Sequence, residues 1–88
     1  MNIGKPTVSV IIPCLNAETT LAEAINSALA QTITPLEVLV IDDGSKDRSV
    51  AIAASYGSRV RVMNNDLGGP GGARRIGVRE ARGEYIAF

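Results

Sequence analysis

Leu36-Glu-Val-Leu-Val-Ile41 is a nearly continuous apolar run of strand length that stops at two adjacent carboxylates, Asp42 and Asp43. A strand with one wet face alternates apolar and polar residues, whereas one buried on both faces is apolar almost throughout, as in a parallel sheet covered by helices. Val8-Ser-Val-Ile-Ile12 has the same character. Two such strands commit the chain to an α/β layer arrangement. In open sheets of that kind ligands bind in the crevice beyond the carboxyl ends of the strands, so Asp42 and Asp43 stand at a candidate site. Gly44 turns the chain away and Ser45 can cap a following helix. The two acids could also serve only to end the strand and to favour the next helix N-terminus electrostatically.

Pro13 closes the first strand, since it cannot donate to a ladder. Thr20-Leu-Ala-Glu23 has the form of a capping box, and Leu21, Ile25, Ala28 and Leu29 recur on one helical face, although the helix could begin as early as Ala17. Thr34 and Pro35 end that unit before the second strand. Ser45 to Tyr56 is alanine-rich and helix-compatible, with Asp47 in its first turn and Gly57 as its stop. Arg59-Val-Arg-Val-Met63 alternates, which predicts a half-exposed strand at a sheet edge. A glycine-rich loop over Asn64 to Gly72, a helix over about Ala73 to Ala81 ending at Gly83, and a strand beginning at Tyr85 complete the order. The expected fold is α/β and Rossmann-like: a mostly parallel sheet of about four strands, with right-handed crossovers and helices on both faces.

The chain has 88 residues, below the usual size of a domain, and Glu84-Tyr-Ile-Ala-Phe88 reads as a strand just begun; residues 1–88 are therefore expected to be the N-terminal part of a larger domain. Nine basic and nine acidic side chains cancel, and aromatic residues make up only 3%, which argues against nucleic acid as a partner. No apolar stretch approaches the roughly 20 residues needed to span a bilayer, and Met1 to Pro6 lacks the apolar core of a signal peptide. A cytoplasmic location is expected, with any membrane association residing in other parts of a longer protein. Cys14 is the only cysteine and there is no histidine, so neither an internal disulfide nor zinc-site spacing exists; Cys14 reads as a small apolar filler rather than a nucleophile.

A dinucleotide-binding fingerprint would place its glycines after the first strand, where this chain has Pro13-Cys-Leu-Asn-Ala17. The glycines follow the third strand instead. Gly68-Gly-Pro-Gly-Gly72 misses the G-x-G-x-x-G spacing, and no Walker A lysine follows it. Gly71 and Gly72 just before a helix would still let backbone N–H groups face an anion, and Arg74 adds positive charge beside them, which suggests a diphosphate neighbourhood. A loop whose glycines serve tight packing is the plainer reading. At about 100° per residue Arg75, Arg79 and Arg82 fall together opposite Ala73, Ile76 and Gly77, on a solvated face, while Arg74 falls off that stripe near the loop. Glu80 and Glu84 read as local surface partners.

Three blocks then occur in order: Val8-Ser-Val-Ile-Ile-Pro-Cys-Leu-Asn16, Val40-Ile-Asp-Asp-Gly-Ser45, and Gly71-Gly-Ala-Arg-Arg-Ile-Gly77 leading to Gly83-Glu-Tyr-Ile-Ala-Phe88. With them the chain resembles the nucleotide-binding half of family 2 glycosyltransferases of the GT-A fold. Ala24-Ile-Asn-Ser-Ala-Leu-Ala-Gln-Thr32 is similar to the first helix of that family. The resemblance implies transfer of a sugar from a nucleotide-diphosphate donor to an acceptor hydroxyl, with inversion and a divalent metal, magnesium or manganese, the acceptor being a saccharide or a lipid-linked group. It places Pro13, Leu15 and Asn16 in the nucleoside pocket, gives Asp43 the contact to the base and Asp42 the support of that corner, and sets Arg74 beside the nucleotide, next to the Gly71 already singled out for its backbone N–H. Arg75 departs from the pattern, which usually has asparagine there. The family's Asp-x-Asp metal motif would follow the strand that Tyr85 begins, and neither it nor the general base is in these residues. The 88 residues alone are therefore expected to hold no metal and to be catalytically inert.

Two rival readings remain at this point. A small non-catalytic module could bind nucleotides or self-associate, and a nucleotidyltransferase would need a glycine-rich basic turn where Pro13 to Asn16 stands. The strand begun at Tyr85 would also present an apolar edge, which predicts a homodimer that pairs edges or exchanges an element.

Overall fold

The computed structural model describes residues 6–32 and 34–88. The reading of Met1 to Pro6 for a leader falls, except for Pro6, outside the described residues. The elements are β1 (Val8–Cys14), α1 (Leu21–Leu29), β2 (Glu37–Asp42), α2 (Ser49–Ala54), a single 3-10 turn (Gly57–Arg59), β3 (Val60–Asn64), α3 (Gly69–Glu80) and β4 (Tyr85–Ala87). All four strands are parallel and lie in the order β3-β2-β1-β4. The register sets Cys14 beside Asp42 and Asp42 beside Asn64, so the ends of three strands form one rim.

The two apolar strands are central, as their composition requires. Val38 and Val40 turn to α1 and α2, joining Leu21, Ile25, Ala28 and Ala53 in one core. Leu39 and Ile41 turn to α3, joining Ile11, Ala73 and Ile76 in the other. Burying each face of the sheet under helix is worth about 25 cal/mol per Å² of apolar surface removed from water, and explains why alternation is absent from β2. The alternating β3 is the edge strand, as expected.

Four local details differ from the sequence reading. Strand β1 continues through Pro13 to Cys14; β4 pairs with β1 only as far as Val10, so Pro13 lies where one side of the ladder is open. Thr20 makes no side-chain cap to α1, because the chain already turns at Ala17, whose carbonyl accepts from the Thr20 and Leu21 N–H groups. Helix α2 begins at Ser49 rather than Ser45, since the Asp47 carboxylate accepts from the Ser49 N–H at 2.9 Å and Ser45 is engaged elsewhere. It ends, as expected, before a left-handed Gly57.

The largest difference is α3, which starts at Gly69 rather than Ala73. Pro70 sits in its first turn, where a missing N–H costs nothing and the fixed φ favours the helix. Gly68 and Gly69 enter it with φ of 75° and 70°. Gly72 and Gly77 lie inside the helix because the packing admits no side chain: an added Cβ would come within 2.8 Å of the Asn65 Oδ1 and 2.7 Å of the Ile11 Cγ2. Tight packing therefore accounts for these two glycines, while Gly71 faces open space.

Candidate functional site

A cleft of about 200 Å³ opens at the carboxyl ends of β1 and β2, lined by Pro13, Cys14, Leu15, Ile41, Asp43, Asn65, Gly69, Pro70 and Ala73. Its walls are mostly apolar, and Asp43 is the charged group among them. One Asp43 oxygen accepts the Gly69 N–H at 3.1 Å, which ties the end of β2 to the N-terminus of α3. Among the described residues the other oxygen has no hydrogen-bond partner. Asn65 buttresses the far wall, its amide donating to the Gly69 carbonyl at 2.8 Å and accepting the Gly68 N–H at 2.9 Å.

Asp42 is placed differently, although it is adjacent in sequence. It is buried, with one oxygen accepting from the Gly44 and Ser45 N–H groups at 3.2 and 3.0 Å and the other from the Ser45 hydroxyl. Its charge is consumed by its own turn, so it shapes the corner and has no free face. The Ser45 hydroxyl in turn accepts from the Asn16 N–H at 2.8 Å, and Asn16 Oδ1 accepts from the Lys46 N–H at 2.8 Å. Asn16 adopts the left-handed conformation, φ 49°, which asparagine tolerates better than most residues. Ser49 and Asp47 extend the same clasp to the Ala17 and Glu18 N–H groups. Hydrogen bonding to the Ser49 side chain lowers the Asp47 pKa; burial opposes this, and backbone N–H groups of Ser49 and Glu18 reinforce it.

Of the residues expected at the site, Pro13, Leu15 and Asp43 line the cleft, Asp42 lies beneath it, and Asn16 belongs to the clasp between the β1 and β2 loops. Gly71 and Arg74 stand outside the lining, early on α3. Arg74 is exposed and its guanidinium lies over the Phe88 ring, 5.3 Å from the centroid. Sequence reasoning missed Asn65, Gly69 and Pro70 because it assigned them to a loop. The Asx-type bond from Asn65 to the Gly68 N–H is the signal that could have drawn attention to that turn. Cys14 is buried in the α1–α2 core, as a filler would be.

A divalent metal needs several hard oxygen ligands converging. Among the described residues no three His, Cys, Asp or Glu side chains are grouped to hold one. Asp42 is saturated and Asp43 stands alone, so the residues of this cleft do not fit a metal. Nor, among the described residues, is any helix long and apolar enough to cross a membrane.

A parallel sheet clad by helices on both faces, with an apolar cleft at its carboxyl rim, defines an open α/β fold of the kind that takes its ligands at that rim. The glycosyl transferase family 2 profile matches residues 9–88, and the chain belongs to that family. An uncharacterized glycosyltransferase of Rickettsia prowazekii is 42% identical over 87 residues, which cover 99% of this chain and 27% of that protein. The uncharacterized glycosyltransferase EpsJ of Bacillus subtilis is 42% identical over 86 residues, 94% of this chain and 25% of the relative. Among solved structures, glucosyl-3-phosphoglycerate synthase from Mycobacterium tuberculosis, in complex with Mn2+, UDP-glucose and glycerol 3-phosphate, superposes with a TM-score of 0.77 at 27% identity over 92% of this chain and 32% of that one. Mannosyl-3-phosphoglycerate synthase from Rubrobacter xylanophilus gives 0.79 at 25% identity, over 92% and 29%. The chain thus spans about a quarter to a third of the length of these proteins. The fold class expected from the sequence, an α/β, Rossmann-like parallel sheet of four strands with helices on both faces, is the observed one, and it is shared with part of these glycosyltransferases.

Proposed function

We propose that this chain is the donor-binding part of an inverting glycosyltransferase, which moves a sugar from a nucleoside diphosphate to an acceptor hydroxyl in the synthesis of a cell-surface polysaccharide or glycoconjugate. The observation that carries the reading is the Asp43 carboxylate: one oxygen is anchored to α3 and the other is left for a base N–H inside an apolar cleft. Pro13, Leu15 and Ile41 offer apolar surface for a nucleobase, and Asp42 with Ser45 holds the corner on which Asp43 sits. Arg74, one residue beyond the Ala73 wall, offers positive charge to the diphosphate. The complexes of the mycobacterial synthase with Mn2+ and UDP-glucose support a nucleotide-sugar donor and a divalent cation in this family. In this proposal magnesium or manganese is held by residues other than those of the present cleft, the acceptor is a saccharide or lipid-linked group bound elsewhere, and residues 1–88 alone transfer no sugar. The outer edge of β4, with Tyr85 and Phe88 exposed, supports the further proposal that the 88-residue chain self-associates, which light scattering at several concentrations tests.

Calorimetric titration with nucleoside diphosphates tests the donor site. Asp43→Ala removes a charged acceptor and is expected to weaken binding by about 1.5 to 3 kcal/mol, roughly 10- to 150-fold. Unchanged affinity in that variant would sink the assignment.

A further inference from the structure

We propose that Asn65 sets the specificity of the donor site: with Asp43 it selects an imide pyrimidine, uracil or thymine, as the base of the nucleoside diphosphate. This rests on the donor-site reading above and names the base that the reading leaves open.

The strand register pairs Asp42 with Asn64, so Asp43 and Asn65, each one residue further on, stand level on neighbouring strands about 4.8 Å apart. The Asn65 N–H donates to the Asp42 carbonyl at 2.7 Å and carries the ladder to that point. Both side chains line the same cleft, and Gly69 ties them together, its N–H held by Asp43 and its carbonyl by the Asn65 amide. Cys14 is buried, and the side chains of Pro13, Leu15, Ile41, Pro70 and Ala73 offer no hydrogen bond. Of the described side chains that line the cleft, Asp43 and Asn65 are therefore the two that can read the edge of a base.

The polarity of Asn65 is fixed. Its nitrogen donates to the Gly69 carbonyl at 2.8 Å and its oxygen accepts the Gly68 N–H at 2.9 Å, so reversing the amide would lose both bonds. The second N–H of that nitrogen has no partner among the described residues and is a free donor, as the second Asp43 oxygen is a free acceptor.

Asn65 and the turn to Gly69 stand at the β3 end of the cleft, and the exposed Leu15 at its β1 end. A base that enters past Leu15 meets Asp43 on its way and Asn65 at its far edge. In a pyrimidine the group on C4 lies opposite the nitrogen that carries the ribose, with N3 beside it. Uracil and thymine then give their N3–H to Asp43 and receive the Asn65 N–H on O4. Cytosine reverses both contacts, setting the N3 lone pair against the carboxylate and an amino group against the amide N–H. Adenine likewise turns a ring lone pair to the carboxylate. Guanine presents two donors side by side, N1–H and the 2-amino group, to a carboxylate with one oxygen left, and a donor without a partner among apolar walls is penalised.

The test titrates the 88-residue chain with UDP, CDP, GDP and 4-thio-UDP, in which sulfur, a weak acceptor, replaces O4 and the N3–H is kept. UDP is expected to bind about three- to tenfold more tightly than its thio analogue, the worth of one neutral hydrogen bond, and to exceed CDP by at least as much. Asn65→Ala should weaken UDP by about the same three- to tenfold and leave 4-thio-UDP nearly unchanged, so that the two bind alike. A second measurement needs no variant and stands even if Asn65→Ala loosens the start of α3: UDP should move one Asn65 side-chain amide proton downfield in the NMR spectrum of the parent chain, and 4-thio-UDP should move it less. Equal losses for UDP and its thio analogue in Asn65→Ala would mark a residue that only fastens α3 and overturn the proposal. So would a parent chain that does not distinguish the two, or one that binds CDP or GDP more tightly than UDP; in each case the donor site stands as long as Asp43→Ala weakens nucleotide binding. If no nucleotide binds the parent chain, or if Asp43→Ala binds as the parent does, the donor-site reading falls and this proposal with it.

Discussion

The two ends of the sheet carry similar charged residues and treat them in opposite ways. At the amino end of β2, Glu37 is 12% exposed and fully engaged: one oxygen accepts from the Ser9 hydroxyl and the Arg82 N–H, both at 2.7 Å, and the other from Arg61 at 3.1 Å. Arg61 also donates to the Glu80 carbonyl at 2.7 Å and lies 3.9 Å from its carboxylate. Ser9 accepts from the Gly83 N–H, and Thr7 and Glu84 exchange hydrogen bonds beside it, so the chain entering β4 is fastened to β1. Just past the carboxyl end of the same strand, Asp43 keeps one oxygen unpartnered among the described residues, at the mouth of an apolar cleft. Charges that neutralise one another hold a structure in place; a charge left without a partner in a partly desolvated cleft is available to a ligand.

That contrast can be broken by experiment. Glu37→Ala is expected to have the largest effect, a loss of about 3 kcal/mol of stability, because Arg61 would keep its burial and lose its closest carboxylate. Urea unfolding measures it, and a loss below 0.5 kcal/mol would show that the network is ornamental. The same site has a pH signature. Burial would raise the Glu37 pKa, but hydrogen bonds from the Arg82 N–H and the Ser9 hydroxyl, with the Arg61 charge, hold it below its ordinary value of 4.5. A group whose native pKa is depressed contributes its full stabilisation above its unfolded pKa and loses it as pH falls through the native one. The stability gap between the parent chain and Glu37→Gln should therefore be constant near neutrality and narrow below pH 4.5.

Asp42→Ala comes next, at about 2 kcal/mol of stability, since it leaves the Gly44 and Ser45 N–H groups without their acceptor. Asp43→Ala should cost only about 1 kcal/mol of stability, one hydrogen bond to Gly69, while its effect on nucleotide affinity exceeds that of Asp42→Ala. Thermal unfolding and calorimetry on the same two variants sharpen the distinction between the carboxylate that builds the corner and the one that faces the ligand. If Asp43→Ala proves the more destabilising of the pair, the two roles are reversed. Smallest of all, Arg75→Ala, an exposed change on the outer stripe of α3, should shift stability by less than about 0.5 kcal/mol and leave nucleotide affinity unchanged. A severalfold loss of affinity there would place the wrong arginine at the diphosphate.

The architecture was legible because it rests on local pattern. Two strands apolar throughout must be buried on both faces, the alternating β3 must lie at an edge, and Gly57 can stop a helix by its own conformational freedom. The fold class and the family were both contained in such runs and in the three blocks from Val8 to Phe88. What the sequence could not settle depended on who meets whom across the fold. Ser45 looked like a cap for α2, yet it bonds Asp42 and Asn16, so that helix waits for Asp47. Thr20 looked like a cap for α1, yet the Ala17 and Glu18 N–H groups at the start of that turn are satisfied by Ser49, the first residue of α2, and by Asp47 just before it. Gly68 to Gly72 read as a loop, yet Pro70 and the close approach of Asn65 to Gly72 make it the start of α3. By itself the sequence determined which segments are buried and that Asp42 and Asp43 stand at a strand end. Only the tertiary structure decided which of the two keeps an oxygen free: Asp42 turns inward and is saturated by Gly44 and Ser45 of its own turn, while Asp43 faces the cleft and meets Gly69, 26 residues away in sequence, a partner that no local pattern records.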